Sequence, residues 1–172
     1  ADVKAELEPY QAKYKKKIPV VVAGGIYTGS DIARFLNLGA DGVQMSTRFV
    51  TTEECDADER FKQAYIDAKE EDIVIVQSPV GMPGRAIHNR FITAIEKVKE
   101  VVICMYQCLR PCDPAKAPYC ISTALVNAVN GSVDEGLVFC GSMAYKADSI
   151  TTVKALMSEL IGEAEHVYRV KE

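Results

Sequence analysis

The segment from Pro19 to Met45 restricts the fold more than any other. Pro19-Val20-Val21-Val22-Ala23 is a short β-branched run that ends in Gly24-Gly25. A continuous apolar run without polar alternation predicts a strand buried on both faces, as in a parallel sheet. Ser30 then caps a predicted helix that begins at Asp31, places Ile32, Phe35, Leu36 and Leu38 on its packed side, and stops at Gly39. Asp41 to Met45 predicts a second strand. Strand, glycine turn, helix and strand within about thirty residues make a βαβ unit, which implies parallel pairing and a right-handed crossover.

The rest of the chain fits a soluble α/β protein. Of its 172 residues, 48% are apolar and 26% charged, enough to build a core and too apolar for disorder. A net charge of −4 supplies no positive field for DNA or RNA, so nucleic acid is not an expected partner. No apolar run reaches the roughly 20 residues that span a bilayer, so no membrane is expected either. The opening Ala1-Asp2-Val3-Lys4 is neither a signal peptide nor a start methionine, and reads as a cytoplasmic chain cut from a longer one. Residues 2–17 favour helix, although Pro9 argues for a late start, a kink or a break. The lysines between Lys13 and Lys17 read as a solvated helix end.

Further helices are predicted over Asp58–Lys69, Ile92–Lys99, Ser122–Asn130 and Ser149–Glu165, with a strand at Ile73–Val76. The two prolines and two glycines of Gln77–Arg85 predict a loop, and the sheet signals stop near residue 76. Residues 1–76 therefore carry the βα units, and residues 77–172 form a loop followed by a mainly helical, cysteine-bearing segment. No repeat or flexible linker separates them.

In parallel α/β folds ligands bind beyond the carboxyl ends of the strands, where glycine admits close backbone approach and free N–H groups surround an anion. Ala23-Gly24-Gly25 and Gln44-Met45-Ser46-Thr47 occupy those two positions. The hydroxyls of Ser46 and Thr47 add donors without adding charge, which suits a small phosphate held by an acidic protein. The competing reading of Gly24-Gly25 is a tight turn and nothing more.

The run IPVVVAGGIYTGSDIARFLNLGADGVQMSTRFV, residues 18–50, resembles the last two βα units of the FMN-dependent nitronate monooxygenase family, also called 2-nitropropane dioxygenases. FabK-type flavin enoyl-ACP reductases share the relationship. The likeness continues through SPVGMPGRAIHNRF, residues 78–91. It implies a (β/α)8 barrel with FMN at its C-terminal face, whose phosphate is held by Ala23, Gly24 and Gly25 after strand seven and by Gln44, Met45, Ser46 and Thr47 after strand eight. Ser46 departs from the glycine the family more often carries; a positive φ there would strain it, whereas an ordinary φ leaves its hydroxyl available to the phosphate.

A whole barrel takes roughly 250 residues, so the resemblance implies that this chain is its C-terminal part. The flavin ring, the substrate pocket and the catalytic histidine then lie upstream of residue 1. Neither His88 nor His166 matches the family's base-bearing motif, and no catalytic residue is assigned. His88 reads as a solvent or loop-stabilising histidine, or as a residue approaching the active-site face. Arg85 either fixes its loop through a carboxylate or reaches substrate or flavin. The implied full reaction oxidises an alkyl nitronate, a small-molecule substrate, to a carbonyl compound and nitrite. The rival enzyme reading is NAD(P)H-dependent enoyl-ACP reduction. The third, non-catalytic reading is a cysteine-rich metal or electron-transfer module.

That third reading comes from Cys104, Cys108, Cys112 and Cys120, spaced C-x3-C-x3-C-x7-C. On a helix Cys104 and Cys108 share a face, and Pro111 and Pro114 bend the chain toward Cys112 and Cys120. Four converging thiolates suit zinc or an iron–sulfur cluster, although the spacing matches neither a C-x2-C knuckle nor a ferredoxin run. Packed reduced thiols and redox disulfides are the alternatives. Cys55 and Cys140 stand apart and read as structural. The sequence carries no signal of oligomeric state.

Overall fold

A computed structural model of the chain describes residues 2–97, 102–104, 107–110 and 112–169. Val98 and Lys99 of a predicted helix, and Pro111, lie outside them. Helix α1 (Asp2–Tyr14) runs through Pro9, so neither a late start nor a break occurs there. No residue of α1 is buried, so the carbonyl that proline leaves without a donor faces water. The helix ends at Lys15, whose φ of 49° is left-handed.

The βαβ unit forms. Strand β1 (Val21–Ala23) leads through the glycine turn to helix α2 (Gly29–Asn37) and then to strand β2 (Gly42–Gln44). The strands pair in parallel, with Val21 opposite Gly42, Val22 opposite Val43 and Ala23 opposite Gln44. Asp41 fixes the entry to both, since its carboxylate accepts the Val20 N–H at 2.9 Å and pairs with Lys17. The expected burial on both faces does not appear: Val21 and Ala23, two residues apart on one face of the strand, are exposed, because among the described residues nothing covers that face. Helix α2 starts two residues before the predicted position, with Thr28, not Ser30, as its cap. Thr28 and Asp31 form a capping box, a stronger signal than the lone serine. Gly39, at φ 92°, ends the helix as expected, while Leu38 is exposed and Ala33 takes the buried position.

Two compact units are present, one from residues up to Ser46 together with those from Lys154 onward, the other Thr47–Val153. The second opens with the short helix α3 (Thr47–Val50) and continues to helix α4 (Glu59–Asp67), which lies within the predicted Asp58–Lys69 and is capped by Asp58. Arg60 holds the Asp58 carboxyl at about 2, mainly through its guanidinium and also through its backbone N–H. Strand β3 (Ile73–Gln77) pairs antiparallel with β4 (Pro83–Ile87), so sheet structure extends eleven residues past the predicted limit. Packing overrides the loop propensity of this proline and glycine pair: Gly84 leaves room for the Phe139 ring, and Ala86 bridges to Phe139. Helices α5 (Arg90–Lys97) and α6 (Ile121–Val129) complete the unit's regular structure. Its core gathers Ile92, Leu137, Val76, Ala124 and Tyr119 in one cluster, and Tyr65, Val138 and Ala128 in another.

Helix α7 (Val153–Arg169) begins four residues later than predicted. Thr151 is held extended in a parallel bridge to Thr52, and the Glu54 carboxylate accepts the Val153 N–H at 2.8 Å. Among the described residues no helix is long and apolar enough to cross a membrane.

Candidate functional site

The register of β1 and β2 brings Ala23 and Gln44 side by side at the carboxyl ends of their strands. Gly24 and Gly25 follow with φ of 83° and 67°, and a Cβ added at either would meet no atom within 4 Å. Backbone conformation, not crowding, therefore requires glycine at both. The same open space lets a ligand approach the main chain. Across the turn Met45 is half-buried and Ser46 exposed. Among the described residues positive φ outside glycine occurs at Lys15 and Gln107, so Ser46 carries no left-handed strain. Thr47, next in the chain, opens α3.

The amino end of α2 is already occupied. Asp31 accepts the N–H groups of Tyr27 and Thr28 at 3.1 Å each, and the Glu163 carboxylate on α7 accepts the Gly29 N–H at 2.6 Å. Burial pushes the Asp31 carboxyl up, but the Thr28 and Tyr27 N–H groups and the Thr28 hydroxyl outweigh it and hold it below the usual range. An external anion is thus left the glycine turn and the strand ends, not the helix terminus.

Sequence reasoning passed over Gly141. A Cβ there would strike the Thr47 hydroxyl, so this glycine keeps the space in which that side chain stands. No local sequence pattern signals it, since the contact is with a residue far earlier in the chain. His88 is exposed, its N–H donates to the Asp72 carbonyl at 2.7 Å, and its Nε2 lies 3.5 Å from the Thr93 hydroxyl. His166 is exposed on α7. Arg85 sits in β4, where its carbonyl accepts the Cys140 N–H at 3.0 Å. Burial pushes the Cys140 thiol up to about 11, with the Arg85 charge opposing, as suits an inert structural cysteine.

All six cysteines are unbridged. Cys104, Cys108, Cys112 and Cys120 line one cavity of about 330 Å³. They do not meet through a shared helix face: Gln107, with φ 45°, breaks any helix before Cys108, and turns at Leu109–Cys112 and Asp113–Ala117 return the chain to Cys120 at the cap of α6. Burial and then the thiols of Cys104, Cys108 and Cys120 push the Cys112 thiol up, whereas hydrogen bonds from Thr123 and Ser122 hold Cys120 down. Among the described residues no three His, Cys, Asp or Glu side chains are placed to hold one metal ion.

Comparison with known proteins matches a family model described as nitronate monooxygenase to residues 4–163. The chain belongs to the nitronate monooxygenase family. A probable nitronate monooxygenase of Staphylococcus aureus (strain Newman) is 45% identical over 75 residues, covering 44% of this chain and 21% of the relative. The corresponding Staphylococcus saprophyticus protein gives the same values. FabK from Thermotoga maritima is similar in structure, with a TM-score of 0.71 and 28% identity over 94% of this chain and 49% of that one. A nitroalkane oxidase from Streptomyces ansochromogenes shares the fold at a TM-score of 0.66 and 23% identity, over 94% and 44% of the two chains. This nitronate monooxygenase family chain spans about a fifth of the length of the curated relatives it matches and about half of these solved chains.

Proposed function

We propose that the chain is the C-terminal part of an FMN-dependent nitronate monooxygenase, with β1 and β2 as the last two strands of its (β/α)8 barrel. The observation that carries this reading is the alignment of Ala23 with Gln44 at the strand ends, followed by two left-handed glycines facing open space. Barrel enzymes place a phosphate at the loops after strands seven and eight. The exposure of Val21 and Ala23 suits strands with further neighbours in a longer protein. In this reading the amides of Gly24 and Gly25 and the hydroxyls of Ser46 and Thr47 hold the FMN phosphate, and Ala23, Gln44 and Met45 set the backbone around it. Bound FMN supplies the redox chemistry that converts a small alkyl nitronate and oxygen to a carbonyl compound and nitrite. This chain contributes cofactor binding and orientation; the proton-abstracting base comes from outside it. The protein acts in the cytoplasm.

The likeness to FabK favours a second reading, NAD(P)H-dependent enoyl-ACP reduction at the same FMN site. Nitrite release from propyl nitronate and NADH oxidation with a crotonyl thioester, both measured on the full-length protein, separate the two. FMN-dependent nitrite release supports the first reading, and thioester-dependent NADH oxidation replaces it with the second. Failure to take up FMN refutes both and leaves the cysteine-rich module without catalysis.

A further inference from the structure

Helices α5 and α6 line an apolar cavity of about 400 Å³ whose described walls all belong to the second unit. Phe91 and Ile95 stand one turn apart on α5 and line it together with Tyr119, while Ala94 and Ala124 are the short side chains that leave space between the two helices. We propose that this cavity binds a small apolar amine, with the ammonium at the Glu135 carboxylate and the hydrocarbon body against Phe91, Ile95, Tyr119 and Ala124.

Size and lining point to an apolar body. An apolar cavity of about 150 Å³ stays dry and takes up benzene, so about 400 Å³ has room for a ring and a short chain. Ligand pockets start at about 300 Å³ and are walled by apolar and aromatic side chains, with a few polar groups that fix orientation. Phe91 and Tyr119 meet edge to face, their centroids 5.2 Å apart and their planes at 82°, and give the wall an aromatic corner.

The polar groups select the head. The Tyr119 hydroxyl donates to the Gln77 carbonyl at 3.2 Å and the Thr123 hydroxyl donates to the Cys120 sulfur, so the strong side-chain donors of the described lining are already engaged. What remains are acceptors. Glu135 is the charged residue among the described lining, and no described cation pairs with its carboxylate. Its backbone is fixed, since its N–H donates to the Ser132 carbonyl at 3.0 Å and its carbonyl accepts the Asn127 amide at 3.1 Å. A ligand carboxylate would be repelled by Glu135 and would find no strong side-chain donor to spare. An alcohol brings one donor and no charge, whereas an ammonium brings three donors and the opposite charge. Glu135 is exposed, so pairing strips little water from it, and the gain is that of a surface ion pair.

The test is calorimetric titration of the full-length protein with 4-phenylbutylamine, 4-phenylbutan-1-ol and 4-phenylbutanoate, which share one hydrocarbon body and differ in the head. The amine is expected to saturate at one per chain and to bind roughly three- to fivefold tighter than the alcohol at low salt, an advantage that fades as salt is added. The carboxylate is expected to bind more weakly than the alcohol. Glu135→Gln should bring the amine down to the alcohol's affinity and leave the alcohol unchanged. Ala94→Trp, at an exposed position of α5, fills the cavity and should weaken amine and alcohol alike by about tenfold or more, because the ring loses its burial. No saturable binding of the amine overturns the proposal, as does a carboxylate that binds as tightly as the amine. An amine preference that survives Glu135→Gln, or binding untouched by Ala94→Trp, overturns it equally. If Ala94→Trp fails to fold, the wild-type ranking of the three heads and its loss in Glu135→Gln still decide the matter.

Discussion

Gly25 and Gly29 stand four residues apart and are required for opposite reasons, so substituting each tests whether space or conformation governs this turn. An added Cβ at Gly29 falls 2.6 Å from Glu163 Cβ, 2.7 Å from Ala164 N and closer still to the Leu160 carbonyl oxygen. Two of those three atoms are backbone of α7 and cannot rotate away. On helix propensity alone Gly29→Ala would gain up to about 1 kcal/mol. Overpacking of this kind costs about 1–3 kcal/mol. Pushing α7 back also breaks the 2.6 Å bond from the Gly29 N–H to the Glu163 carboxylate, about 1.5–3 kcal/mol for a charge-assisted bond. The net expectation for Gly29→Ala is a loss of about 2–5 kcal/mol. Gly25→Ala has open space and pays for its left-handed φ of 67° alone, about 1–2 kcal/mol. Asparagine tolerates that region, so Gly25→Asn should recover most of the loss, whereas Gly29→Asn should be worse than Gly29→Ala. Urea unfolding with matched slopes reads all four variants. A Gly29→Ala chain as stable as wild type, or more so, would show that α7 does not pack against the start of α2 and would sink the argument.

Three further outcomes follow from the same geometry. Asp31 has a lowered folded pKa, so its stabilisation is full above the ordinary aspartate range and is lost as pH falls through the lower folded value; Asp31→Asn should flatten the acid limb of a stability profile taken between pH 6 and 2. Ile92 is 1% exposed in the cluster with Val76 and Leu137, and Ile92→Ala should cost about 2–5 kcal/mol by thermal or urea unfolding. Gly141→Ala drives a methyl into the Thr47 hydroxyl; in the full-length protein it should weaken FMN affinity, read by flavin fluorescence, about as much as Thr47→Ala does.

The βαβ unit was legible because its three signals agree: a β-branched run, a glycine turn and an amphipathic helix closed by Gly39. The helix start was misplaced because Ser30 is a good cap in isolation, and only the reciprocal bonds between Thr28 and Asp31 reveal the true one. Strand β4 was hidden because PGRAI reads as loop until Phe139, far along the chain, covers Gly84 and Ala86. The glycine and hydroxyl residues of the site announce themselves by chemistry, whereas Gly141 matters through contact with a residue 94 positions earlier, which no local pattern encodes. The four cysteines were visible as a set. Their means of convergence was not, since a left-handed glutamine and two short turns replace the expected helix.

The bond from Gly29 to Glu163 joins residues 134 apart in the chain, and the unit it closes is discontinuous. During synthesis the intervening stretch, Thr47–Val153, has all its own contacts in hand before Glu163 leaves the ribosome, so it can fold first. Until then α2 waits with its amino end uncapped by α7 and with Gly29 exposed beside the glycine turn. A ribosome paused with Val153 already outside its exit tunnel and Glu163 still inside would therefore present a nascent chain with Thr47–Val153 free to settle and the βαβ unit not yet closed by α7, a state accessible to chaperones and proteases that the finished chain does not offer.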